Sequence, residues 1–542
     1  MATLFTGGSV FDGHQYLSGH GLLVDDGTVL AVLDADGLDR LDRRDHEIVD
    51  LAGGLVTPGF TDAHCHPIQG GLERRQCDLT EGSTREEYVR MVRDYAAGYD
   101  GPWITGGGWM MAAFPGGVPS VADLDAVVAD RPVLLHNRDH HGAWANSRAL
   151  ELAGISSETP DPPGGRIERL PDGSPQGSLH EGAVDAVAKL LPELSPAEYA
   201  AGLVEGQQYL FSLGVTAWQD AIVGAYAGMA DTGSTYLDAI ASGDLLADVV
   251  GALWWDRELG LDQVDDLVAR RQAQSGGRYR ATSIKIMQDG VCENFTAAML
   301  SPYLDGHGHA TDHAGHSFVE AEELKAVVVA LAAEGFQVHV HAIGDRGTRE
   351  ALDAFAAART AGHGADLRHH IAHIQVVHPD DVPRFAELGV AANAQALWAT
   401  HEPQMDDLTI PFLGDERSTW QYPFGGLHRA GARLVMGSDW PVTSPDPLAA
   451  IHTAVTRTAY DDPREPFLPE QAIDVTTAFA AYTSGSAWVN GRDRTDGAGV
   501  LAPGHAADLA VLDRDPFAGP ADEIGATRVV STWVAGRAVY RA

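Results

Sequence analysis

Several things are scarce in this 542-residue chain. It has three cysteines, Cys65, Cys77 and Cys292, an odd number with no CxxC pair, which points to reduced thiols in a cytoplasmic protein. Basic residues are few: 37 Lys and Arg face 76 Asp and Glu, a formal net charge of −39. A surface that acidic repels phosphate backbones, so nucleic acid is not an expected partner. No apolar run is long enough to span a bilayer, and no membrane partner is expected. The opening MATLFTGGSVFDG lacks a basic region followed by an apolar run, so no signal peptide is expected. Long low-complexity segments and short-period repeats are also missing. The remaining composition, 44% hydrophobic and 21% charged, is that of an ordinary folded protein. The length suggests two to four structural units, and a homodimer is left open.

The two ends resemble each other in pattern. Residues 1–57 read as short strands broken by turn signals at Gly7-Gly8, Asp12-Gly13 and Asp26-Gly27. Residues 498–542 read the same way, through ADLAVLD and VVSTWVAGRAVY. The economical arrangement is one small β-sandwich built from both termini.

The middle, residues 58–497, alternates strands and helices. Eight apolar strand candidates cover 54–66, 214–221, 248–255, 283–290, 336–344, 369–377, 390–397 and 433–441. Helical patterns such as EAEELKAVVVALAAEG (320–335) and RGTREALDAFAAAR (346–359) fill most gaps. Eight βα units predict an α/β fold of the (β/α)8 TIM-barrel type, with its site at the C-terminal strand ends. A doubly wound sheet is the alternative. The gap of about 70–213 is too long for one helix and reads as an α/β insertion that roofs the site.

His64-Cys65-His66 ends the first strand, where residues i and i+2 share a face. Both imidazoles therefore point the same way, with Asp62, at a place where ligands sit. Cys65 points away and is not a ligand. His341 ends the fifth strand, His373 the sixth and Asp439 the eighth; His339, His369 and His370 read as packed neighbours. Histidines and an aspartate gathered at strand ends suit zinc or a similar metal. Lys285, between Ile284 and Ile286, faces into the barrel, and the bare sequence favours an ion pair with a carboxylate there. Trp109, Phe114, Trp144, Trp398 and Trp440 are candidates for an apolar substrate pocket, with His141 and Glu293 beside them. His307, His309, His313 and His316 read as a solvated loop near the mouth, with a second metal site as the alternative.

Together these residues resemble the amidohydrolase superfamily, almost end to end. VTPGFTDAHCH, HAIGDRGTREAL, HIAHIQVVHPDD and MGSDWPVTSPDPLAAIHTAVTR are similar to its strand motifs, and LAPGHAADLAVLDRDP to its returning sandwich. IKIMQDGVCENFTAAMLSPY and HHGAWANSRALE resemble family 3, the YtcJ-like branch, which includes N-substituted formamide deformylases. The resemblance implies one or two divalent metals, zinc first, on His64, His66, Lys285, His341 and His373. It implies that Lys285 is carboxylated and bridges the metals, and that Asp439 moves protons. Ala372 departs from the pattern, which usually has glutamate before this histidine. The implied activity is hydrolysis of an amide-type C–N bond of a small molecule by metal-activated water. A deaminase or cyclic-amide hydrolase, and a metal-binding barrel without turnover, are the alternatives.

Overall fold

The computed structural model describes residues 2–226, 228–364 and 366–542. At its centre is one eight-stranded sheet whose neighbouring strands all pair in parallel. Its strands are β1 (Phe60–Cys65), β2 (Val215–Val223), β3 (Asp248–Trp254) and β4 (Tyr279–Met287). Then come β5 (Gln337–Ala342), β6 (His370–His373), β7 (Ala391–Ala394) and β8 (Leu434–Met436). They lie side by side in chain order, whereas a doubly wound sheet reverses its order part-way, so that alternative is excluded. Beyond β8 the chain meets β1: the Asp439 amide donates to His64 O (2.7 Å) and the His66 amide donates to Trp440 O (2.7 Å). Gly437 permits this approach, because a Cβ there would stand 2.5 Å from the His64 amide nitrogen. The sheet thus curls into a nearly closed barrel with helices outside, a TIM-type fold.

The alternation along the strands divides core from site. Ile284 and Ile286 on β4 join Val338 and Val340 on β5 in the main core, with Leu324, Val328 and Leu331 of the helix Ala321–Ala333. Lys285 lies between those isoleucines, so its side chain takes the barrel face, and its register partner is His339. The apolar run 54–66 serves two sheets. Leu55–Pro58 pairs antiparallel with Leu509–Leu512, and only Phe60–Cys65 enters the barrel. The joint is Gly59, where a Cβ would stand 2.3 Å from Thr216 Oγ1.

Both chain ends share a six-stranded sheet. Its order is Arg537–Arg541, Val529–Val534, Leu509–Leu512, Leu55–Pro58, Ser9–Phe11 and Tyr16–Leu17. A four-stranded sheet packs on it through Phe5, Val10, Leu22, Val56, Val511 and Trp533. Arg492, 2% exposed, ties this pair of sheets to the barrel: it reaches Asp508 (2.8 Å), Asp496 (2.6 Å) and Asp248 at the start of β3 (3.7 Å).

Between β1 and β2 the chain builds another six-stranded sheet, from Cys77–Asp78 to Pro175–Glu181, with two small cores of its own. It returns through the helix Pro196–Ser212, whose Leu203, Leu210 and Phe211 belong to the barrel core. The end of the 70–213 stretch is therefore barrel wall.

Candidate metal centre

β1 delivers His64 and His66 to the C-terminal mouth of the barrel, and the chain after β8 delivers Asp439 against them. One carboxylate oxygen, Asp439 Oδ1, lies 3.0 Å from Nε2 of both His64 and His66. A ligand atom from each of these residues lies within 4.8 Å of the others. His373 comes within 3.9 Å of Asp439 Oδ2, and its ring centroid is 4.8 Å from His64 and 4.4 Å from His341. Lys285 Nζ lies 3.4 Å from His64 Nε2. Five of the six expected residues thus converge directly, and His341 joins through His373.

The backbone is strained where the cluster is densest. His373 (φ 78°) and Asp439 (φ 58°) adopt left-handed conformations that non-glycine residues rarely take. Hydrogen bonds hold both in place. Gln395 Oε1 accepts from the His373 amide (2.7 Å) and Trp398 stacks on the His373 ring at 5.3 Å. Asp62 accepts from the amides of His64 and Ser438 (3.0 Å each) and from Ser438 Oγ (2.6 Å). Ala372 leaves His373 without the carboxylate seen in the family pattern; Gln395 and Trp398 are what it has instead.

Electrostatics favour bare, neutral donors. Burial, then the charge of Lys285, pushes His64 down to about 3. Burial would raise the Asp439 carboxyl, but hydrogen bonds from His64 and His66 outweigh it and hold the carboxyl well below the usual range. Lys285 is brought down to about 7 by burial, against the pull of Asp439. The carboxylate ion pair expected for Lys285 does not form: among the described residues no carboxylate oxygen lies within 4.0 Å, because β4 aims the amine at the histidines. His373 supplies the sharpest test of fit. It is 2% exposed, and neither ring nitrogen has a hydrogen-bond partner. An orphaned imidazole beside a carboxylate and two more imidazoles fits a divalent cation.

A cavity of about 740 Å³ rises from this cluster between the barrel and the inserted sheet. His64, His66, Lys285, His341, His373 and Asp439 line its floor. Above them come Gln69, Glu73, His136, His140 and His141, and then Tyr95, Tyr99, Trp103, Leu134 and Leu191.

A family model described as the amidohydrolase family matches residues 47–540. The chain belongs to the amidohydrolase family. It is 32% identical to the protein LONG AFTER FAR-RED 3 of Arabidopsis thaliana, over 91% of this chain and 83% of the relative. It is 28% identical to the putative amidohydrolase YtcJ of Bacillus subtilis, over 91% and 90%. It is 27% identical to N-substituted formamide deformylase of Arthrobacter pascens, over 91% and 89%. These relatives support the branch expected from residues 140–151 and 284–303. Among solved structures, an uncharacterized metal-dependent hydrolase of Pyrococcus horikoshii superposes with a TM-score of 0.73 at 26% identity, covering 96% of this chain and 99% of that one.

Membership supports hydrolase activity with a divalent metal. Within this amidohydrolase, the expected substrate-pocket residues divide. His141 and Trp398 line the cavity. Trp109 and Trp144 do not: they pack with Phe114 in the core of the insertion, and their indole N–H groups donate to Leu135 O (2.8 Å) and Ser120 O (2.9 Å). Glu293 is also outside, because the turn after β4 carries it to Thr409, whose hydroxyl donates to Glu293 Oε1 (2.9 Å). The loop histidines 307 and 309 are exposed, and His309 pairs with Asp305 (3.1 Å). The three cysteines are free and buried.

Sequence reasoning missed the middle of the cavity. Gln69 and Glu73 sit four residues apart on the helix Pro67–Glu73, directly after His66, and that spacing was the available signal. Gln69 Nε2 lies 3.0 Å from Glu73 Oε1 and from His140 Nδ1. Burial pushes Glu73 up to about 8 and His136 down to about 4, so both are uncharged near neutrality, whereas His141, against its burial, is raised to about 9 by the Glu181 carboxylate and is protonated there. Glu181 had no local signal. It holds His141 Nδ1 (3.0 Å) and accepts from Thr296 Oγ1 (2.9 Å).

Proposed function

We propose that this amidohydrolase cleaves an amide-type C–N bond of a small molecule, N-substituted formamides first, with one or two zinc ions. The observation that carries the reading is Asp439, whose single oxygen stands 3.0 Å from two cavity-floor histidines. A carboxylate there can exchange protons with water while neighbouring imidazoles serve as ligands. The name of the Arthrobacter pascens relative, N-substituted formamide deformylase, supports the substrate class. His64, His66, His341 and His373 would hold the metal, with Lys285 between them. When bound, zinc supplies a Lewis acid that activates water and polarises the carbonyl.

The chain's residues do the rest. Asp439 takes the proton released as water adds to the carbonyl carbon, then passes it to the leaving nitrogen as the C–N bond breaks. A formamide thereby yields formic acid and the amine. Lys285 is buried without a carboxylate partner, so its neutral amine can take up carbon dioxide, releasing one proton and forming a carbamate whose oxygens face the histidines. The buried free thiols fit a cytoplasmic location.

Two experiments test this. Asp439→Asn keeps the side chain's size but cannot shuttle the proton, so kcat should fall at least about 100-fold with metal content near wild type. Near-normal turnover removes Asp439 from the mechanism; loss of both metal and fold makes it a structural ligand. Protein exchanged into ¹³C-bicarbonate should show a carbamate carbon signal that Lys285→Met abolishes. A metal-loaded protein without that signal contradicts the carbamate.

A further inference from the structure

The cavity is graded in polarity, and one strand of the insertion measures the gradient. Leu134 and His136 both lie on the strand Val133–Asn137 and both line the cavity. Being i and i+2, they share a face and stand about 7 Å apart along it. The strand runs towards His140 and His141, the latter with its ring centroid 5.8 Å from that of His341 on the cavity floor. Along one path, therefore, stand the metal-site histidines, then His141 with its partner Glu181, then the polar ring of His136, His140, Gln69 and Glu73, then Leu134. At the strand's starting end, Trp103 and Leu134 share an apolar core with half-buried Leu191 packed against it. Tyr95 and Tyr99, ring centroids 5.1 Å apart, also line the cavity. Pro102 and Pro192 are exposed where this arm opens to solvent. A small formamide would fill only a minor part of about 740 Å³.

Resting on the amide-hydrolase reading above, we infer that the substrate carries an extended apolar chain joined to its amide, held in the arm formed by Trp103, Leu134, Leu191, Tyr95 and Tyr99. The amide reaches the floor, its polar atoms meet the polar ring, and the chain lies along the inserted sheet. The chain can belong to the amine or to the acyl side; both present the same neutral amide with an apolar tail.

The test uses two homologous series, N-formyl-n-alkylamines and N-methyl-n-alkanamides, each from ethyl to decyl. KM is measured for turnover by the metal-loaded enzyme, and binding of the same compounds to the metal-free protein by calorimetry. In at least one series affinity should rise about 2- to 4-fold per methylene, the upper value corresponding to full burial. Trp103→Ala and Leu191→Ser should both flatten that slope; Leu191 is half-buried, so its variant keeps the fold if Trp103→Ala does not. A flat series in wild type, or a slope that neither variant changes, overturns the arm. Hydrolysis with a flat slope sinks the arm and leaves the amide reading intact. A steep binding slope without hydrolysis of either series does the reverse.

Discussion

Histidines of this protein fall into two groups with different work. His64, His66 and His373 gather around Asp439, while His339 stands behind His64 and lies 2.8 Å from its Nδ1 through Nε2. A ligand imidazole whose second nitrogen is held keeps one tautomer and one orientation. His339 is thus more than a packed neighbour, and its ring lies tilted against that of His370, centroids 4.0 Å apart. His339→Phe preserves the volume and removes the hydrogen bond, so zinc affinity should fall about 10- to 100-fold in a chelator competition. An unchanged affinity would show that His64 needs no such support. At this scale the i, i+2 pair His64 and His66 was legible, because strand geometry alone aligns them. Glu181 was not, because its partner His141 is 40 residues away, in the turn before the strand Gly142–Ala145.

Elements decide which of these residues can meet. The eight strands and their helices were readable from periodicity, yet their ends were not. The expected strand 433–441 stops at Met436, since the next residues leave the sheet to meet β1. Trp109 and Trp144 were misread for a related reason: aromatic residues in an insertion look alike whether they line a pocket or fill a core, and here the small inserted sheet needs them as core. β6 also carries a titration that reports on packing. His369, just before it, accepts from the Val338 amide (2.9 Å) and stacks on Phe355 at 4.9 Å. Burial lowers it to about 4 from the ordinary 6.5. Between those values the unfolded chain binds the proton and the folded one does not, so stability falls as pH drops below 6.5, by up to about 1.4 kcal/mol per unit. His369→Gln keeps an acceptor and cannot titrate. Urea unfolding should therefore show the variant gaining on wild type from pH 6.5 to 4.5; parallel curves would contradict the assignment.

Across the whole molecule, chain order and space are rearranged around one cavity. The two ends pair into one sheet that Arg492 fastens to the barrel, and 105 or so residues after β1 roof the site. The similar strand patterns at both termini made their pairing readable, whereas the graded cavity depends on how the inserted sheet sits over the barrel, which no periodicity records. On the proposed reading, hydrolysis depends on a metal held by the strand-end histidines. The direct measurement is a zinc titration of chelator-stripped protein, following release of amine from N-formylbenzylamine and its N-alkyl homologues. Activity should be absent from the stripped protein, return with zinc, and saturate at one to two ions per chain, while His64→Ala and His66→Ala fail to recover it. Full turnover by the stripped protein, or equal recovery in both variants, would contradict that dependence on the metal.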